Sequence, residues 1–147
     1  MDAADVPSLD IAHLIQVAVG PVFLLSGIGV TLGVFTTRLA RIVDRARAAE
    51  AEPIRDSSHE RLLAERLQVL ARRSRYISAA ITLATLAALL VATTVVLLFA
   101  NAILHLKLAV AIAVIFAAST LSLTGALLVF LIEVRLATVS LRIGGHI

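Results

Sequence analysis

The chain of 147 residues contains no cysteine and few charged residues, and each shortage excludes a class of protein. Without cysteine there is no disulfide, no thiolate metal site and no cysteine nucleophile. Charged residues make up 16% of the chain, whereas soluble domains carry about 25%. Because 60% of the residues are hydrophobic, the composition favours a protein that is embedded in lipid.

Long hydrophobic runs account for this composition. Residues 11–37, 76–100 and 108–132 lack aspartate, glutamate, lysine and arginine altogether. A transmembrane helix needs about 20 predominantly apolar residues, and each run is longer than that. A soluble helical bundle is the alternative, but three uncharged runs of this length favour membrane spans. The sequence therefore predicts an all-α membrane protein with three transmembrane helices, in which residues 1–147 form one membrane domain.

The segments between the spans predict how the helices start and end. Residues 1–10 are acidic and lack the basic leader of a cleavable signal peptide, so we expect them to be retained. Ser8 is the expected cap of the first helix, and Pro21 should kink it. Residues 101–107 are expected to form a tight turn. Ser57 and Glu60 have the spacing of a capping box, which predicts the start of the second long helix.

A second amphipathic pattern lies between the first two spans. Beyond residue 37 the apolar residues recur at the spacing of one helical face, and a similar stripe follows residue 60. The two stripes consist of Leu39, Ile42, Val43 and Ala46, and of Leu63, Leu67 and Leu70. We therefore expect the first two helices to extend into an antiparallel helical hairpin over residues 38–75, stripe against stripe.

The arginines predict the orientation of the chain. Residues 38–75 contain ten arginines and six acidic residues. Because basic residues flanking the spans stay on the cytoplasmic side, the hairpin and the tail at 133–147 should be cytoplasmic. Residues 1–10 and the turn at 101–107 should then be periplasmic, in a bacterial inner (cytoplasmic) membrane. The basic residues predict contacts with anionic lipid headgroups rather than with nucleic acid.

No arrangement of residues typical of an enzyme appears. Serines and threonines in the spans have no histidine at a matching depth to activate them. Asp10, His13 and His105 could meet at the outer face and bind a cation or a proton, although chance placement at a wet interface is the alternative. The glycines of the first span do not form a phosphate-binding loop, since they lie in an apolar segment. We expect no enzymatic activity, no cofactor and no metal site.

Rows of small residues predict close helix packing, because in lipid the close approach of backbones stabilises helix pairs. One such row lies in the third span, where alanines recur every four residues at Ala109, Ala113 and Ala117. Three helices cannot bury so many small faces, so we expect self-association into a homo-oligomer; the alternative is that each row packs within the chain. The residues predicted to pack are Ser26, Gly29 and Gly33 in the first span and Ala84 and Ala88 in the second.

One face of the first helix carries a continuous set of residues that would suit a pore. In a ring of subunits this face would form an acidic outer mouth, a narrow waist and a basic inner vestibule, features by which channels select and gate. The alternative is that its arginines extend to lipid headgroups. The candidate pore-lining residues are Asp10, His13, Val17, Gly20, Leu24, Gly27, Thr31, Val34, Arg38, Arg41 and Arg45.

Glu133 stands at the inner end of the third span, at about the depth of Arg38, Arg41 and Arg75. A charge at this level should be paired or solvated. We expect a structural ion pair between Glu133 and one of these arginines, with Arg38 as the candidate. A gating or proton-transfer role is the alternative.

Three segments resemble a known family. These are P-x-x-L-L-S-G-x-G at 21–29, R-L-A-R-I-V-D-R-A-R at 38–47 and F-L-I-E-V-R-L-A at 130–137. Together they resemble a family of bacterial inner-membrane proteins known as a domain of unknown function, and the likeness covers nearly the whole chain. The resemblance implies three spans and brings no activity or site residues. In architecture alone the chain is similar to calcium-release-activated channels, whose first helix lines a pore between an acidic mouth and a basic extension.

Two functions from different classes remain open at this point. The first is a homo-oligomeric ion channel with the first helix lining the pore, for which small inorganic ions would be the partners. The second is a non-conducting scaffold or accessory protein whose hairpin docks a partner protein. A small transporter ranks third, because no broken helices or inverted repeat are visible.

Overall fold

The computed structural model describes residues 8–53, 56–104 and 107–143, and it describes side chains over 12–53, 56–104 and 107–135. Three helices account for almost all of these residues. They are α1, Ser8–Glu50; α2, Ser57–Leu104; and α3, Ala109–Ile143. α1 is continuous through Pro21, which is buried.

Each helix is long and apolar enough to cross a membrane. The most apolar part of each has a mean hydropathy of 2.0 in α1, 2.5 in α2 and 2.2 in α3. Large apolar side chains such as Phe23 and Val110 are each 78% exposed, which in water would be costly and in lipid is not. The predicted all-α fold with three helices able to cross a membrane is thereby confirmed, as expected of a multi-pass membrane protein.

α2 contributes most of the core and contacts both α1 and α3. Its fully buried face repeats in steps of three and four residues, which is the spacing of one side of a helix. The residues of this face are Ile77, Ala80, Ala84, Ala87 and Val91. Ile28, Phe35 and Ile42 of α1 and Ala126 of α3 pack against it. Small side chains on α2 let the two neighbouring backbones come close.

One contact shows how closely α2 and α3 approach. The Ser122 hydroxyl donates a hydrogen bond of 2.8 Å to the backbone carbonyl of Leu83. One turn further along α3, a Cβ added at Gly125 would lie 3.6 Å from Leu83 Cδ1. Ser122 therefore contacts the α2 backbone directly, and Gly125 faces a side chain of α2.

The cap of α2 differs from the predicted one. The backbone N–H of Glu60 donates to the carbonyl of Asp56, and the Asp56 carboxylate accepts from the Ser57 N–H and the Ser58 hydroxyl at 2.7 and 2.9 Å. Asp56 is therefore the N-cap, one residue before the predicted Ser57. Aspartate caps as well as serine, so sequence preference alone does not distinguish the two.

The other end of α2 also lies beyond its predicted position. α2 continues to Leu104, so that Asn101 is helical rather than part of a turn. The Asn101 side-chain oxygen accepts a hydrogen bond of 3.0 Å from the N–H of Leu108, just before α3. α3 continues to Ile143, past the predicted end of its span at residue 132.

Candidate functional site

A buried carboxylate joins the three helices where their apolar segments end. Glu133 of α3 is fully buried, and both of its oxygens accept hydrogen bonds. Arg38 Nη1 of α1 lies 3.2 Å from Oε2, and Arg73 Nη2 of α2 lies 2.8 Å from Oε1. Arg73 Nε donates to the same Oε1 at 3.1 Å. The expected contact between Glu133 and Arg38 is thus present, together with a second arginine.

Two aromatic rings lie next to this cluster. The centroids of Phe35 in α1 and Phe130 in α3 are 4.6 Å apart. The guanidinium carbon of Arg38 lies 5.2 Å from the centroid of Phe130. A cation over an aromatic face is attracted by the ring quadrupole, so Phe130 and Glu133, one turn apart on α3, both attract the same guanidinium. These contacts favour one position of Arg38.

Arg73 was not among the residues expected at this site. Arginines occupy positions 72, 73 and 75, and charge alone does not say which of them faces the interior. Arg73 lies one helical turn before the fully buried Ile77, and its side chain is 14% exposed. Knowing which face of α2 is buried would therefore have identified Arg73 as the arginine that faces the interior.

A polar cavity adjoins the cluster. It has a volume of about 210 Å³ and is lined by Arg38, Arg41, Ile42, Arg45, Arg73 and Glu133. Arg41 and Arg45 are exposed and follow Arg38 along α1 at helical spacing. Four arginines and one carboxylate thus line the cavity, which carries an excess of positive charge. Such an arrangement attracts anions.

The face of α1 that was expected to line a pore is largely exposed within the single chain. Leu24 instead packs against the core, Arg38 binds Glu133, and Thr31 donates to the carbonyl of Gly27 at 2.9 Å. The Asp10 side chain and all of His105 lie outside the described residues, and so does the expected outer cluster with His13. The exposed members are His13, Val17, Gly20, Gly27, Val34, Arg41 and Arg45.

The small residues behave differently in the three helices. Within the described part of the chain, no atom of a neighbouring helix lies within 4 Å of a Cβ added at Gly20, Gly27, Gly29 or Gly33. Ser26 is exposed as well. Ala84 is fully buried and Ala88 packs against the core, as expected for α2. The alanine row of α3 at Ala109, Ala113 and Ala117 is exposed.

A shallow depression marks the inner half of the glycine face of α1. It has a volume of about 400 Å³ and is bounded by Val30, Gly33, Val34, Thr37, Arg38 and Arg41. The missing side chain at Gly33 leaves α1 open to a close neighbour there. Such a surface suits a helix that approaches at backbone distance.

Comparison with family models gives one match. Residues 18–143 match a family described as "Protein of unknown function (DUF2721)". Comparison with curated proteins and with solved structures gave no match. The match includes all three segments on which the sequence resemblance rests.

Proposed function

The chain belongs to the DUF2721 family of proteins of unknown function, and we propose that it is a homo-oligomeric membrane protein whose α1 helices line an ion-conducting path. The observation that carries the proposal is the open space in front of Gly20, Gly27, Gly29 and Gly33. Glycine destabilises a helix relative to alanine by about 1 kcal/mol. Four glycines in one helix, each with open space where a Cβ would be, are therefore best explained by contacts with a second copy.

The exposed polar and basic residues of α1 support the conducting path. Gly20 and Gly27 leave room at the middle of the helix, and Arg41 and Arg45 project beyond the apolar segment. Since Arg38 is held by Glu133, the basic inner vestibule would be formed mainly by Arg41 and Arg45. A ring of these arginines would favour anions over cations in the vestibule.

We further propose that α1 and α2 continue into the cytoplasm as an antiparallel hairpin. Ile42 is buried, and the α1 residues from Ile42 to Glu50 share a surface cavity with Leu67, Leu70 and Ser74 of α2. The ten arginines between residues 38 and 75 favour a cytoplasmic location for this hairpin, with the N-terminus outside and the C-terminus inside. A reporter fused to the C-terminus should be active in the cytoplasm; activity confined to the periplasm would reverse the orientation.

The first experiment measures assembly. The purified protein in detergent is analysed by native mass spectrometry, and a single oligomer larger than one chain is expected. Gly29→Leu with Gly33→Leu should shift the population towards monomer, whereas Ala79→Leu on the exposed face of α2 should not. A monomer in the unchanged protein, or equal effects of both changes, would contradict self-association through α1.

The second experiment measures conduction. The protein is reconstituted into liposomes, and chloride and potassium fluxes are recorded across a range of voltages. Gly27→Leu should reduce the flux, because it fills the proposed waist, while Ala79→Leu should leave it unchanged. Absence of flux from a correctly assembled oligomer would contradict the conducting path and leave the assembly itself untouched.

A second candidate function is a non-conducting scaffold. The observation in its favour is the exposed, charged outer surface of the α1 and α2 extensions, where Arg61, Glu65 and Arg66 are all exposed. Crosslinking of the full-length protein in membranes should then join this surface to one protein partner in stoichiometric amount. Loss of that product in Arg61→Glu with Arg66→Glu, with flux absent throughout, would favour the scaffold.

A further inference from the structure

The cavity beside Glu133 holds more positive charge than its carboxylate neutralises. Glu133 occupies Nε and Nη2 of Arg73 and Nη1 of Arg38. A guanidinium has five N–H donors, so Arg38 keeps donors beyond the one bound to Glu133. Arg41 and Arg45 contribute two more guanidinium groups to the same cavity. The cavity therefore has donors available for an additional anion.

The arrangement of these donors suits an oxyanion with several oxygens. Arg38, Arg41 and Arg45 lie at intervals of three and four residues, so they lie on one side of α1. The guanidinium group matches phosphate geometry through two parallel N–H···O bonds, which the ammonium group of lysine does not provide. The chain has a single lysine, Lys107, outside this cavity. Every cation of the cavity is thus of the type that binds phosphate through paired hydrogen bonds.

The position of the cavity favours one class of oxyanion. Arg38 directly follows the uncharged run of α1, and Glu133 directly follows that of α3. In a bilayer, side chains at the end of an apolar segment lie at the level of the lipid phosphates. The cavity volume of about 210 Å³ is several times the ~30 Å³ that one water molecule takes in the liquid. A phosphate group therefore has both the room and the donors it needs.

We propose that Arg38, which Glu133 holds in place, binds a phosphate group together with Arg41 and Arg45. The group is carried either by a lipid headgroup or by a free phosphate ion. Glu133 and Phe130 position Arg38 before the ligand arrives, which lowers the entropy that binding would otherwise cost. This site rests on the cavity alone and does not depend on self-association or conduction.

The test compares two double variants with equal net charge. Arg41→Gln with Arg45→Gln removes two arginines that line the cavity and leaves Arg38 and Arg73, which bind Glu133. Arg61→Gln with Arg66→Gln removes two exposed arginines of α2 that do not line it. Gel filtration and thermal unfolding establish that both variants fold. If the cavity variant does not fold, Arg45→Gln alone replaces it, with Arg66→Gln as its control.

Two measurements distinguish the sources of the phosphate. Native mass spectrometry counts dioleoyl phosphatidylglycerol bound to the full chain in competition with dioleoylglycerol, which has the same acyl chains and no phosphate. Calorimetry measures inorganic phosphate binding to the protein in a neutral detergent, with chloride as the ionic-strength control. Binding in the first measurement alone identifies a headgroup site, and binding in the second identifies a site that accepts free phosphate.

The proposal expects a loss of affinity of about tenfold or more in the cavity variant, because two guanidinium groups that donate charge-assisted hydrogen bonds to the phosphate are removed. The control variant should stay close to the unchanged protein. The proposal is wrong if neither ligand binds, or if the two double variants lose the same affinity. An equal loss would show that net charge alone attracts the anion.

Discussion

Arg73 donates two hydrogen bonds to the same oxygen of Glu133: its Nη2 lies 2.8 Å and its Nε 3.1 Å from Oε1. Of the two arginines that bind Glu133, Arg73 is the less exposed, at 14% against 41% for Arg38. Arg73 and Arg38 come from different helices, so the carboxylate links α3 to both α2 and α1. The site is thereby a structural junction as well as a source of positive charge.

Arg73→Ala should destabilise the protein. Removing one partner of a buried ion pair costs about 3–5 kcal/mol, and the remaining Arg38 should keep the loss near the lower figure. Arg75→Ala is the matched control, because Arg75 is exposed and lies two residues away. Unfolding in mixed micelles by increasing SDS measures both. Equal losses would show that Glu133 does not need Arg73.

Combining Arg73→Ala with Glu133→Gln should cost less than the sum of the two single changes. Each single change leaves one charge of the Arg73–Glu133 pair without its opposite charge, and the double change removes both charges. Contacting residues in a charge network typically couple by about 0.5–3 kcal/mol. The same SDS titration is carried out on the unchanged protein, the two single variants and the double variant, which completes the double-mutant cycle. Strict additivity would argue against a direct interaction in the membrane.

Gly125 should tolerate alanine and resist leucine. A Cβ at this position would meet Leu83 Cδ1 at 3.6 Å, an ordinary van der Waals distance, and alanine favours the helix by about 1 kcal/mol over glycine. The longer leucine side chain would collide with α2 and cost about 1–3 kcal/mol. Thermal unfolding in detergent should therefore give opposite shifts for the two variants. Stabilisation by both variants would show that α3 is not so close to α2, and destabilisation by both would show that the contact leaves no room for a Cβ.

The α2 cap should respond to acid. Hydrogen bonds from the Ser58 hydroxyl and the Ser57 N–H lower the pKa of Asp56 below its ordinary value of 3.8. A carboxyl whose pKa is lowered by folding stabilises the fold above its unfolded pKa, and this contribution is lost as the pH falls through the folded pKa. Helix content near α2 should thus decrease below about pH 4.

The matched control for the cap is Asp56→Asn, since asparagine also caps helices but does not titrate in this range. Circular dichroism from pH 7 to pH 2 measures helix content in both proteins. The asparagine variant should lose less helix on acidification than the unchanged protein. Identical titration curves would mean that Asp56 does not contribute to the acid response.

The three spans could be predicted from the sequence because hydrophobic length determines membrane insertion. The N-cap of α2 at Asp56 and its end at Leu104 could not, since an aspartate next to a serine, or a polar residue such as Asn101, is compatible with a cap, a turn or a continuing helix. These choices depend on hydrogen bonds such as that between Asn101 and Leu108, which link residues seven positions apart.

The candidate site could be predicted in part. The depth of Glu133 and Arg38 follows from the ends of two uncharged runs, and this depth predicted their contact. Predicting Arg73 would have required the rotation of α2 about its own axis. That rotation is set by packing of Ile77 and Ala80 against the neighbouring helices. The same information shows why Ala84 packs within the chain and Gly29 does not.

The junction at Glu133 also divides α1 into two unequal lengths. At 1.5 Å per residue, about 45 Å of helix lies between Arg38 and Ser8, and about 18 Å lies between Arg38 and Glu50. α1 packs against α2 on both sides of this junction, through Ile28 and Phe35 on the longer part and through Ile42 on the shorter part. A displacement of either part would therefore have to move α2 with it and, through Glu133, also α3.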